Sequence, residues 1–189
     1  MRIIAGRFRG RTLSCPKSLG VRPTADRVRE ALFSILGPRV PESRVLDLFA
    51  GTGAVGLEAL SRGAASAVFV DQNRKALAAL KSNLEHCAVS FPEADVLSVS
   101  VAVAISRLAA QERRFDLIFM DPPYGKGWIS KTLTLLDAVA APGALVIAEH
   151  HEKDHVPESV PPWQVVDRRR YGTVCLTFFG RKEKSSENV

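Results

Sequence analysis

The sequence predicts an α/β fold: a seven-stranded sheet, mostly parallel, with helices on both faces and a C-terminal antiparallel hairpin, preceded by a small N-terminal β-hairpin and helix. Three observations carry this. From residue 44 onward, short apolar runs alternate with segments of helical period, the rhythm of βα units. The last two apolar runs, 163–168 and 174–179, are joined through Tyr171-Gly172, as in an antiparallel hairpin. The first 43 residues lack the rhythm, so the chain divides into a basic extension, 1–43, and an α/β domain, 44–189.

Residues 2–15 read as a hairpin, with Ile3-Ile4 and Thr12-Leu13 flanking Gly6 and Gly10. Alternation then puts Arg7, Arg9 and Arg11 on one face of an extended segment. Pro16, Gly20 and Pro23 mark a linker. Val28, Ala31, Leu32, Ile35 and Leu36 fall at helical spacing, which predicts a helix over 24–36 with Arg22, Asp26, Arg29 and Glu30 off its apolar stripe. Gly37-Pro38 stops it.

The βα units follow in order. Residues 45–49 form a strand, and a glycine-rich turn opens a helix to about 62. Strand 67–70 and helix 73–86 come next, then a short third strand at 88–91 and a helix over 97–110. Strand 115–120, helix 129–140 and strand 144–149 complete the parallel part, and a proline-containing connection leads to the hairpin.

Composition sets bounds on function. A hydrophobic fraction of 46% and a charged fraction of 24% suit a globular chain. No apolar run has the length of a membrane span, the opening residues lack the apolar core of a secretory signal, and Cys15, Cys87 and Cys175 form no metal-binding or disulfide pattern. A reducing cytoplasm is the expected location. The net charge of +6 is uneven. Residues 1–44 carry ten Lys/Arg against three Asp/Glu, whereas the remainder carries sixteen against seventeen. A basic arm on a near-neutral body is a footprint of nucleic-acid binding, and its preference for arginine suits bidentate phosphate contacts. Arg168-Arg169-Arg170 reads as a solvated strand end, with an RNA contact as the alternative. His150 and His151 are adjacent on a strand and so face opposite ways, which argues against a metal site.

Two motifs carry the chemistry. Gly51-Thr52-Gly53-Ala54-Val55-Gly56 is a G-x-G-x-x-G between a strand and a helix, the context of a nucleotide-binding turn. Asp47, inside the preceding strand, would repel a pyrophosphate but suits a ligand with an ammonium group. Asp71 closes the next strand, where a carboxylate accepts ribose hydroxyls. Asp95 is placed to accept from an adenine amino group. The second motif, Asp121-Pro122-Pro123-Tyr124, ends a buried strand. Its prolines stop the chain rigidly and offer no backbone donors. The Asp121 carboxylate and the Pro122 carbonyl can accept both protons of one planar amino group, while Tyr124 offers a ring to stack its base.

Asp47-Leu48-Phe49-Ala50-Gly51-Thr52-Gly53, Asp71 and Asp121-Pro122-Pro123-Tyr124 resemble the class I S-adenosylmethionine-dependent amino-methyltransferases, whose Rossmann-like sheet has seven strands. Three further segments resemble, more narrowly, the bacterial 16S rRNA guanine-N2 methyltransferases: the opening Arg2–Arg11, the Arg22–Phe33 segment beginning Arg-Pro-Thr, and Tyr171-Gly172. The resemblance implies methyl transfer from S-adenosylmethionine to the exocyclic N2 of a guanine in 16S rRNA, within an assembled or partly assembled small subunit. It implies cofactor contacts from Asp47, Phe49, Ala50, Gly51, Gly53, Asp71, Gln72, Asp95 and Val96, and catalysis by Asp121, Pro122 and Tyr124. The RNA contacts would come from Arg7, Arg9, Arg11, Arg22, Arg27 and Arg29. A monomer with no metal and no membrane association is expected.

Rival readings explain less. An adenine-N6 methyltransferase of DNA or RNA shares the Asp-Pro-Pro-Tyr corner, but a DNA enzyme is expected to need a target-recognition domain. A nicotinamide-dependent oxidoreductase accounts for the glycines but not for Asp47 or the proline corner. A non-enzymatic RNA-binding factor leaves Asp121 and Tyr124 idle.

Overall fold

A computed structural model describes residues 1–15 and 24–182, and of Thr24 and Ala25 the backbone alone. Among these residues eight strands form one sheet: β1 (Arg44–Leu48), β2 (Ser66–Val70), β3 (Ala94–Leu97), β4 (Phe115–Met120), β5 (Ala140–His151), β6 (Ser159–Val160), β7 (Trp163–Tyr171) and β8 (Val174–Arg181). Their order is β3-β2-β1-β4-β5-β8-β7-β6. The strands from β3 to β5 are parallel, and β8 returns antiparallel to β5 with β7 antiparallel to it. The expected closing hairpin is therefore present, inverted into the sheet, and the short edge strand β6 raises the strand count from seven to eight.

Among the described residues, five α-helices cover the sheet: α1 (Thr24–Leu36), α2 (Ala54–Ser61), α3 (Arg74–His86), α4 (Val101–Ala110) and α5 (Trp128–Leu136). Strand alternation builds two apolar layers. Val45, Ala67, Phe69 and Leu117 face one side and pack with α1, α2 and α3. Leu46, Leu48, Val68 and Ile118 face the other and pack with α4 and α5. Burial on both faces is why these strands read as continuous apolar runs rather than as alternating ones. No helix among the described residues is long and apolar enough to cross a membrane.

Three expectations for the α/β part change. The third strand is Ala94–Leu97, and 88–91 is a loop with Ala88 at φ 53°. Helix α4 therefore begins at Val101 rather than at 97. Helix α5 stops at Leu136, because Val139 and Ala140 are drawn into β5 and its approach.

The N-terminal segment differs more. Its hairpin reduces to a single antiparallel bridge between Arg2 and Thr12 around a multiple turn, so Arg7, Arg9 and Arg11 do not share one face of an extended strand. The segment is instead docked on α2. Glu58, fully buried, accepts hydrogen bonds from the backbone N–H groups of Ile4 (2.8 Å) and Ala5 (3.1 Å). The Ser61 carbonyl accepts from Arg7 N–H at 2.8 Å, and its hydroxyl accepts from Phe8 N–H at 2.9 Å. A Cβ on Gly6, at φ +82°, would lie 1.7 Å from that Ser61 carbonyl oxygen, so only glycine lets the segment approach this closely. Asn83 of α3 receives Ser14 N–H at 2.7 Å and donates to the Ser14 carbonyl. Ile3, Phe8 and Leu13 join the α1–α3 apolar layer.

Helix α1 is where the sequence places it, but rotated. Val28, Leu32, Phe33 and Leu36 are buried, Ile35 is exposed, and Phe33 meets Phe119 of β4 with ring centroids 6.2 Å apart. The rotation carries Arg29 inward, to 4% exposure.

Candidate functional site

Register brings the two motifs together. Leu48 of β1 pairs with Val70 of β2 and with Met120 of β4. The residues that leave these strands, Phe49, Asp71 and Asp121, therefore emerge side by side at the carboxyl edge, about 5 Å from strand to strand. This is the crevice where open α/β sheets take ligands.

The glycine turn forms one wall. Phe49 and Gly51 take positive φ (61° and 56°), and Gly53 caps α2 at φ 80°. A Cβ on Gly53 would strike Leu80 Cδ1 at 2.2 Å, whereas one on Gly51 would meet nothing within 4 Å, so the turn is packed beneath and open toward the crevice. Ala50 N–H bonds to the Val70 carbonyl at 2.9 Å, tying the turn to β2.

Asp71 stands at the mouth. Its carboxylate accepts from Gly51 N–H at 2.8 Å and from Asn73 N–H at 2.7 Å, while Asn73 caps α3 through Lys75 N–H and Ala76 N–H. Gln72 follows it, exposed. Asp47 lies beneath the turn, 4% exposed, accepting Gly56 N–H at 2.9 Å. Burial pushes its carboxyl up to about 7; the Gly56 hydrogen bond opposes this and the nearby Asp71 charge adds to it. A cationic group placed above it would restore its ionised form. An open glycine turn, a carboxylate at the mouth and a buried acid beneath fit an adenosine whose tail bears an ammonium.

The proline corner forms the other wall. Pro122 is buried, Asp121 is exposed, and Tyr124 is half-buried with its ring 5.9 Å from that of His151. Asp154 holds this corner to the end of β5, accepting from Gly125 N–H at 3.0 Å and His151 N–H at 3.1 Å. The corner, Trp128 and the loop after β5 line a cleft of about 370 Å³. Neither Asp154 nor Trp128 carries a motif; an aromatic flanked by Lys126 and Lys131 was the one available signal.

His150 points to the opposite sheet face from His151. Its Nδ1 lies 2.9 Å from the His151 carbonyl, which can only accept, so Nδ1 carries the proton and Nε2 accepts from the Thr177 hydroxyl at 2.8 Å. Burial lowers its pKa, which keeps this tautomer neutral.

Some predicted contacts fall elsewhere. Asp95 is not at the edge: it lies inside β3, paired in register with Val68, about 7 Å below the carboxyl ends. There it forms an ion pair with Arg113 at 2.7 Å. Val96 packs against the α1–α3 apolar layer. Neither is placed to hold an adenine; Ser98, abreast of Asp71, is the first residue of that strand to reach the edge.

The arginines divide as well. Arg29 is structural: its guanidinium donates to the Arg2 carbonyl (2.5 Å) and to Asp26 (3.0 Å), and its Nε faces the buried Glu58 at 3.6 Å. That Nε has no hydrogen-bond partner, so Glu58 holds it by charge alone. Burial removes Arg29 from the RNA-contact set. Arg7 pairs with Glu93 and lies over the Phe8 ring, and Arg11 donates to the His86 carbonyl at 2.6 Å. Arg9 and Arg27 are exposed. Arg22 lies outside the described residues. The exposed Arg168, Arg169 and Arg170 pair with Glu158, Asp167 and Glu152.

Comparison with known proteins places this architecture. The family described as conserved hypothetical protein 95 matches residues 1–180. The ribosomal RNA small subunit methyltransferase D of Escherichia coli K12 is 35% identical over 191 residues, spanning 100% of this chain and 94% of that one. A hypothetical protein of Thermus thermophilus superposes with a TM-score of 0.80 at 36% identity, over 94% of this chain and 98% of the other. A ribosomal protein L11 methylase from Lactobacillus delbrueckii, at 17% identity and TM-score 0.68 over 86% and 81% of the two chains, shares the fold alone.

Proposed function

The chain belongs to the conserved hypothetical protein 95 family, and on that premise we propose that it transfers a methyl group from S-adenosylmethionine to the exocyclic N2 of a guanine in 16S rRNA. The full-length similarity to a small-subunit rRNA methyltransferase supports the rRNA substrate. The observation that carries the reaction is the alignment of Gly51, Asp71 and Asp121 on neighbouring strand ends, an adenosine cradle beside an amine-accepting corner.

Asp71 accepts the ribose hydroxyls, Phe49, Ala50, Gly51 and Gly53 shape the turn beside them, and Gln72 adjoins the adenosine at the rim. Asp47 faces the amino-acid tail. Bound there, the cofactor would supply an electrophilic methyl group on a sulfonium, whose sulfur departs as a neutral thioether as the C–S bond breaks.

The guanine, out of its stack, enters the cleft and lies against Tyr124, whose ring is backed by His151. Its amino nitrogen is a poor nucleophile, because its lone pair is delocalised into the ring. The Asp121 carboxylate and the Pro122 carbonyl each accept one N2 proton, which favours a pyramidal nitrogen with its lone pair turned toward the crevice. As the N–C bond forms, Asp121 takes the proton that N2 sheds and, being exposed, returns it to water. Positioning does most of the work.

Residues 1–43 serve as the rRNA-binding extension, with Arg9 and Arg27 among its exposed cations, Arg7 and Arg11 beside Glu93 and the His86 carbonyl, and Arg22 assigned from the sequence alone. The protein acts as a cytoplasmic monomer on an assembled or partly assembled small subunit, and no step calls for a metal.

The test is incubation with labelled S-adenosylmethionine and small subunits lacking the modification, followed by mapping of the labelled base. Label at one guanine N2 is the expected result. Label on adenine, or none, refutes the assignment.

A further inference from the structure

The cleft beside the corner has two aromatic side chains, and the reaction above uses only Tyr124. Trp128 opens α5 and is 39% exposed, whereas the other tryptophan, Trp163, is fully buried. The indole is held in place: Phe49 meets it edge-on with ring centroids 6.2 Å apart, and Lys131 Nζ lies 5.7 Å from its centroid. Lys126 lines the same cleft. Phe49 is the residue that leaves β1 beside Asp121, so Trp128 stands next to the reacting edge rather than on a remote surface. A fixed, half-open ring among lysines is the chemistry that binds single-stranded nucleic acid, by base stacking and phosphate attraction.

We propose that Trp128 is a second stacking platform, which takes the base neighbouring the target guanine while Lys126 and Lys131 attract the adjoining phosphates. This rests on the rRNA reading of the same site. A base drawn from its stack leaves its neighbour with an uncovered face, and the indole supplies a replacement partner. The platform is thus a positioning device that holds the strand so that N2 reaches Asp121.

Kinetics with unmodified small ribosomal subunits test it. W128A should raise KM for subunits about tenfold, the size of one base–aromatic stack, with kcat little changed and KM for S-adenosylmethionine unchanged. W128F should recover most of the loss, because an aromatic face remains. A short single-stranded oligoribonucleotide should quench the tryptophan emission of the unaltered protein and not that of W128F, whose remaining indole, Trp163, is buried. An unchanged subunit KM in W128A overturns the proposal, as does quenching that persists in W128F. A rise in KM for S-adenosylmethionine instead would assign the indole to the cofactor. Failure of the unaltered protein to methylate subunits at all would overturn the function itself, a result distinct from these.

Discussion

Asp121 and Asp47 are carboxylates one strand apart, and their surroundings give them opposite tasks. Asp121 is exposed at a rigid corner and works as an acceptor. Asp121→Ala should keep rRNA affinity within about twofold and abolish methyl transfer, read by filter binding and label incorporation; normal methylation by this variant would overturn the mechanism. Asp47 is buried, and its carboxyl ionises near 7 in the folded chain. The unfolded chain releases that proton near pH 4. Between those limits the folded state holds the extra proton, so this group makes stability fall as pH rises from about 4 to 7. Asp47→Asn keeps an acceptor for Gly56 N–H and removes the buried charge. It should therefore raise stability at pH 8 by ~2–4 kcal/mol, with the difference from the unaltered protein vanishing below about pH 4 in thermal melts. S-adenosylhomocysteine binding should weaken about tenfold in the same variant, and in the unaltered protein should tighten from pH 6 to 8, by calorimetry.

The N-terminal segment, α1 and α2 form a unit whose keystone is a buried acid. Glu58 gathers two backbone N–H groups, Arg62 at 2.8 Å and Arg29 at 3.6 Å. Arg29→Ala should cost about 3 kcal/mol in urea unfolding, because it removes a countercharge from a buried carboxylate, and should leave the salt slope of RNA binding unchanged. Arg9→Ala and Arg27→Ala should do the reverse: stability unchanged, and the salt slope reduced by about one for each lost phosphate contact. A salt slope that stays unchanged in the Arg9 and Arg27 variants would return those arginines to the role of solubility. The difference between these residues was invisible in the sequence. The spacing at 28, 31, 32, 35 and 36 fits an apolar stripe, yet Phe33 outbids Ile35 for the core because Phe119 lies beneath it on the sheet face that α1 covers. The resulting turn of the helix buries Arg29. Similarly, the alternating arginines at 7, 9 and 11 suggest a strand, but docking of Gly6 on Ser61 makes that stretch a turn.

At the scale of the molecule, one sheet positions everything. Its carboxyl edge collects the glycine turn, Asp71 and the proline corner from three strands, and the hairpin at its other end places the loop of His151 and Asp154 against Tyr124. The sequence by itself determined the βα order, the closing hairpin, the glycine turn with Asp47 and Asp71, and the Asp-Pro-Pro-Tyr corner. These rest on local causes: side-chain period, proline's fixed φ and glycine's tolerance of positive φ. Tertiary structure alone decided that Asp95 belongs to Arg113 and not to a ligand, that Glu58 anchors the N-terminal segment, and that Trp128 and Asp154 border the cleft. Each of those depends on which distant residue supplies a partner charge or surface. Strand register and helix rotation set that choice, and both are fixed only when the two apolar layers pack.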